Sequence, residues 1–228
     1  MITQPSSPTS LADQAYERLR DEIVLCRLAP GETVSESVLE QRYALARAAV
    51  RSALARLVQE GLVKSSGGKA RVVAPLTLGD VNDVFLLRRQ LEPLAARMAA
   101  GKVDEPHLRV LDEACRAGYT PGDLKGELGF LNANRRFHLA VAEASGSPRL
   151  ARILEQLHNE ATRILYLGFR LRNRSEEWSH GHESLLEALM RPDGDEAARI
   201  ALELLDNSYD QIVQAALSSS KIRDVSLA

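Results

Sequence analysis

Two pairs of side chains stand at the spacing that lets an α-helix present them together. Arg47 and Arg51 are four residues apart, at the start of a segment whose apolar residues Val50, Leu54, Leu57 and Val58 recur with helical period. A guanidinium holds the O6 and N7 of guanine, or a phosphate, with fixed donors. Arginines in the first turns of a helix that enters the major groove can therefore read or grip DNA. Asn134 and His138 form the second pair, and His182 lies on a later helical segment close to Trp178 and His180. Imidazoles that converge from two helices can build a metal or anion site. A histidine on an amphipathic helix is also commonly a plain hydrogen-bonded residue, and spacing alone leaves both readings open.

The arginine pair needs a scaffold, and the surrounding residues supply one. Residues 36–43 read as a short helix, 44–46 as a tight turn, 47–60 as a second helix, and 62–73 as two short strands around Ser65-Ser66-Gly67-Gly68. This is the pattern of a winged helix-turn-helix. Ser10 can cap a preceding helix that runs to about Cys26, and Ala29-Pro30-Gly31-Glu32 is a turn. Between Arg42 and Arg71 the chain carries seven basic residues (Arg42, Arg47, Arg51, Arg56, Lys64, Lys69, Arg71) against the single acid Glu60, on a protein of net charge −2. Such a local excess points to a polyanion, although a solvated helix face is the plainer reading of the same charges.

The second pair belongs to a different part of the chain. After the linker Val73-Ala74-Pro75-Leu76 the charge turns acidic and every segment has helical period. Thr77 with Asp80 resembles a capping box for a helix to about residue 100, bent at Pro93. Further helices are expected at 104–117, 121–145, 148–171, 175–191 and 195–217. The expected fold class is mostly α: an N-terminal winged helix-turn-helix over 11–75 and a C-terminal all-α antiparallel helical bundle over 76–218. A lead-in of ten residues and a tail over 219–228 flank them. With 45% hydrophobic residues the chain can build real cores. Two cysteines without metal-ligand spacing suit a reducing, cytoplasmic setting, and neither a signal peptide nor a membrane span is apparent.

The stretches Leu28-Ala29-Pro30-Gly31-Glu32-Thr33-Val34-Ser35-Glu36, Arg47-Ala48-Ala49-Val50-Arg51 through Leu57, and Glu60-Gly61-Leu62-Val63 resemble the DNA-binding domain of GntR-family transcription regulators. The resemblance implies Glu36, Arg47, Ala48, Arg51, Gly68, Lys69 and Arg71 as the DNA-contacting set. It departs at Ala46, Ala49 and Ser52, where the family usually has Ser, Pro and Glu, and at Ala70, where it has Gly. Arg88 to Glu92, Asn134 to His138 with Ser145-Gly146-Ser147, and His182 through Gly194-Asp195-Glu196 resemble the helical effector domain of the FadR-like branch, called FCD, in its six-helix VanR-type form.

In that domain a carboxylate and three imidazoles often hold a divalent metal. The matching positions here are Asn134, His138, His182 and Leu204. Loss of one anionic and one nitrogen ligand should weaken zinc or nickel greatly. The expected pocket is metal-free, or holds an ion weakly through His138, His182 and the Asn134 oxygen. Arg88 would then anchor an anionic effector, unless it is simply the ion-pair partner of Glu92. Asn159 and Arg163 on the central helix are further effector candidates. An unshifted imidazole charges below about pH 6.5, so anion binding is expected to tighten there.

These readings imply a non-enzymatic regulator: a homodimer that binds an inverted-repeat, double-stranded DNA operator and senses a small carboxylate metabolite. The alternatives are a metal-dependent enzyme that uses His138 and His182, for which no P-loop, GxSxG or HExxH pattern speaks, and an architectural DNA binder without a ligand cavity.

Overall fold

The computed structural model describes residues 10–65, 71–171 and 182–218 and divides the chain into two compact units, Met1–Pro75 and Leu76–Ala228.

In the first unit, α1 (Leu11–Val24) starts where the Ser10 side chain accepts from the Asp13 amide. Two short helices follow, α2 (Glu36–Tyr43), capped by Ser35, and α3 (Arg47–Gln59). Between α2 and α3 the chain reverses through Ala44 at φ 52°, a left-handed conformation that costs an alanine strain and ends α2 abruptly. The strands β1 (Thr33–Val34), β2 (Val63–Ser65) and β3 (Arg71–Val73) form an antiparallel sheet in the order β1-β3-β2. Leu19, Ile23, Leu39, Val50, Leu54, Leu57, Leu62 and Val73 meet in one core, with Val58 at its edge. The strand β1 was not expected from the sequence: two residues are too few to show alternation, and pairing with Arg71 and Val72 defines it.

The second unit holds six helices among the described residues: α4 (Leu78–Ala99), α5 (Glu105–Arg116), α6 (Leu124–Ala144), α7 (Pro148–Leu171), α8 (Glu183–Met190) and α9 (Gly194–Ser218). Thr77 and Asp80 form the capping box, and α4 stays helical through Pro93. The helix expected from residue 121 begins three residues later, because Gly122 takes φ +89° and Asp123 supplies the cap. Of the helix expected over 175–191, only the part from Glu183 is seen; Trp178 and His180 fall outside the described residues. Helix α7 is buried on nearly all sides from Leu157 to Phe169, which makes it the central element. Arg89 on α4 pairs with Asp206 on α9 at 2.6 Å and lies over the Tyr209 ring.

Candidate functional site

The N-terminal unit separates its arginines by what holds them. On α3 the residues Ala49, Val50, Ala53, Leu54 and Leu57 face the core, so Arg47, Ala48, Arg51 and Ser52 share the exposed side of the first turns. The Arg47 side chain is 74% exposed and lies 3.8 Å from Glu36 and 3.6 Å from Glu40. Exposed pairs of this kind are weak, so they orient the guanidinium without fixing it. Ala46 gives α3 no side-chain cap, which leaves its first N–H groups available to a phosphate. Arg71 opens β3, half-buried and paired to Val34 and Ser65. Gly68 and Lys69 lie outside the described residues.

Two members of the basic run are structural ties. Arg56 sits 3.5 Å from the centre of the Tyr16 ring and bonds Glu60, whose other oxygen accepts from the Tyr16 hydroxyl at 2.8 Å. Burial and Glu60 push the Tyr16 phenol upward, so it stays protonated in this clamp between α1 and α3. Arg42 donates to the Arg27 carbonyl at 3.0 Å and to Glu32 at 3.2 Å.

In the helical unit a cavity of about 330 Å³ opens between α4, α6, α7 and α9, with His182 at the start of α8. Arg88, Asn134, His138, His182 and Leu204 all line it, so those positions do come together in space. Asn159 and Arg163, at 0% and 1% exposure, are buried on α7 but do not line the cavity; Asn159 Oδ1 is taken by Arg135 Nε at 2.6 Å. The lining residue from α7 is Leu165, because Asn159 and Arg163 lie on other sides of a helix that is buried almost all round.

Arg88 donates from Nε to Glu92 Oε1 at 2.5 Å, so the i,i+4 ion pair forms. It leaves Arg88 Nη1 buried without a hydrogen-bond partner, on a residue only 3% exposed. His138 Nδ1 lies 3.5 Å from Glu92 Oε2, and His158 Nε2 lies 3.4 Å from Glu92 Oε1. The rings of His138 and His158 have centroids 4.9 Å apart, and the His182 ring is 4.9 Å from His138. His182 stacks on Phe137 at 4.1 Å, while its backbone N–H donates to Asp112 and its Nδ1 faces the same carboxylate at 3.7 Å. The His182 side chain, its backbone N–H and Arg116 hold the Asp112 carboxyl below its ordinary range.

One sequence expectation changes here, and a donor group that the sequence did not single out appears. Burial lowers both the His138 and His158 imidazoles well below their ordinary value, helped by His158, His182 and Arg88 at His138 and by Arg88, Arg135 and His182 at His158. Both imidazoles therefore favour the neutral form, and Arg88 is the arginine that lines the pocket. Glu92, His138 and His158 bring one donor atom each within 4.8 Å of one another, beside the Asn134, His138 and His182 set that lines the cavity. His158 was missed because it reads as one more position on the buried stripe of α7. The available signal was a histidine four residues after Leu154 and next to Asn159. Glu92 was read only as the partner of Arg88.

The comparisons agree with this architecture. Residues 11–73 match the description "Bacterial regulatory proteins, gntR family", and residues 83–207 match the FCD domain. The chain belongs to the GntR family of bacterial transcription regulators, in the group that carries an FCD domain. It is 24% identical over 210 residues to the HTH-type transcriptional repressor RspR of Escherichia coli, covering 92% of this chain and 91% of that protein. It is 28% identical to BphR of Paraburkholderia xenovorans, described as an uncharacterized HTH-type transcriptional regulator, over 91% of this chain and 87% of that one. The solved structure of E. coli McbR superimposes with a TM-score of 0.70 at 24% identity over 91% of this chain and 99% of that chain, which shows a shared fold.

Proposed function

We propose that this DNA-binding regulator is a homodimer that binds an inverted-repeat operator and is switched by a small carboxylate-bearing metabolite in the helical unit. The observation that carries the reading is Arg88. A guanidinium N–H that is buried without an acceptor costs free energy, and a carboxylate in the adjoining cavity would accept from it. The cavity volume lies at the lower end of the range for small-ligand sites, which suits a compact metabolite. Asn134 and Ser208 add neutral polar groups for its remaining atoms.

Dimerisation is supported by α4, which exposes Leu86, Leu87 and Leu94 at 58%, 47% and 41%. Large apolar residues left uncovered on one helix are a common mark of a protein interface. A two-fold dimer also matches the two half-sites of a palindrome, since one helix reads too few base pairs alone. The ligand would shift DNA affinity only through its differential affinity for two arrangements of the protein. No helix among the described residues is long and apolar enough to cross a membrane, and the proposed setting is the cytoplasm.

The test is a thermal-shift screen of small carboxylates, repeated with Arg88→Ala. A hit that stabilises the wild type but not the variant supports the reading. Stabilisation that survives the substitution contradicts it.

A further inference from the structure

We propose that Glu92, His138 and His158 form a divalent-metal centre, displaced from the positions that the family resemblance gives. One donor atom from each of the three lies within 4.8 Å of the others. They come from α4, α6 and α7, so three helices fix the site independently.

The separations fit a shared ion better than hydrogen bonds. Zinc holds nitrogen and carboxylate oxygen at about 2.0–2.2 Å, which places tetrahedral donors roughly 3.3–3.6 Å apart. His138 Nδ1 lies 3.5 Å from Glu92 Oε2 and His158 Nε2 lies 3.4 Å from Oε1, longer than good hydrogen bonds, so each imidazole meets its own oxygen of a carboxylate that can hold one ion through both. His158 Nε2 is buried without a hydrogen-bond partner on a residue only 2% exposed, and it is aimed at the carboxylate. A buried ring nitrogen so placed is costly unless a partner meets it.

The other carboxylate bond is compatible with a metal. Ligating carboxylates are generally hydrogen-bonded in turn, and Arg88 already fills that role at Oε1. Two imidazoles and one carboxylate suit zinc or nickel and leave a coordination position toward the cavity. The alternative set has less to offer. Leu204 has no donor and Asn134 offers only a neutral oxygen, so that set lacks the anionic ligand that Glu92 supplies.

The site shares the cavity of the proposed function but does not need its carboxylate ligand. Metal uptake is therefore measured without effector, and its failure would leave the Arg88 reading standing. The experiment is a Zn²⁺ titration of the chelator-stripped, dialysed full chain by calorimetry, on wild type, His158→Gln, Glu92→Gln and His182→Gln. The expected result is one ion per chain, at least ten-fold weaker binding in His158→Gln and Glu92→Gln, and less than three-fold change in His182→Gln. No saturable binding in the wild type would overturn the proposal. A loss in His182→Gln equal to or larger than that in His158→Gln would do the same. X-ray absorption on the zinc-loaded wild type keeps the test independent of variant folding: two imidazoles per zinc are expected, and three or none would refute the site.

Discussion

Arg47 and Arg51 differ from Arg42 and Arg56 in what holds them, although the residue type is the same. The first two project from the open turns of α3, so Arg47→Ala or Arg51→Ala should cost about 1–3 kcal/mol at a specific DNA site. Fluorescence anisotropy would show it, and unchanged affinity in both would remove them from the interface. Arg56 is clamped over Tyr16, so Arg56→Ala should instead lower urea stability by about 1 kcal/mol and leave the DNA affinity of the folded protein nearly intact. In the cavity, burial lowers the His138 and His158 imidazoles from their ordinary value, so both favour the neutral form. Carboxylate binding by chelator-treated His182→Gln, which lacks the remaining cavity imidazole, should therefore not tighten as pH falls from about 8 to about 6, and calorimetry at several pH values checks it. The identity of Arg88, His138 and His182 as cavity residues was legible in the sequence through resemblance. The role of His158 was not, because helical period says that a residue is buried but not which neighbour it meets.

At the scale of the element, the ends of helices were the most legible feature. Ser10 and Thr77 with Asp80 accept from the amides that a capping argument requires, because the interaction is local in sequence. The start of α6 and the strand β1 were misplaced or missed, since one depends on the φ of Gly122 and the other on a partner strand far away. Ala46 is an uncapped N-cap in extended backbone at φ −66°, ψ 136°, the geometry in which a hydroxyl can serve. Ala46→Ser should raise stability to urea by about 0.5–1 kcal/mol. Gly194 shows what local reasoning misses: a Cβ there would lie 2.7 Å from the Arg97 carbonyl oxygen, where α9 begins against the end of α4. Backbone cannot retreat as a side-chain tip can, so Gly194→Ala should destabilise by about 1–3 kcal/mol. A melting temperature equal to wild type would show that the two helices have slack.

At the scale of the whole molecule, the proposed function requires a DNA-reading unit and a ligand-reading unit that act through a dimer. Leu94 is exposed on α4 and would be covered by a second copy, so Leu94→Lys should yield a monomer by light scattering with helicity unchanged. The division into two units was readable from the change of charge sign near Pro75, because a polyanion-binding surface and an acidic bundle place opposite demands on composition. What the bundle senses was not readable, because chemistry there depends on side chains brought together from α4, α6, α7 and α9. The most direct test is the affinity for a selected DNA site, measured with and without a carboxylate found in the thermal-shift screen, in wild type and Arg88→Ala. The account expects the ligand to change wild-type affinity by about 5-fold or more, the scale of allosteric coupling, and to leave an equally DNA-competent Arg88→Ala unaffected. An identical ligand response in both proteins, or no specific DNA binding by the wild type, would contradict it.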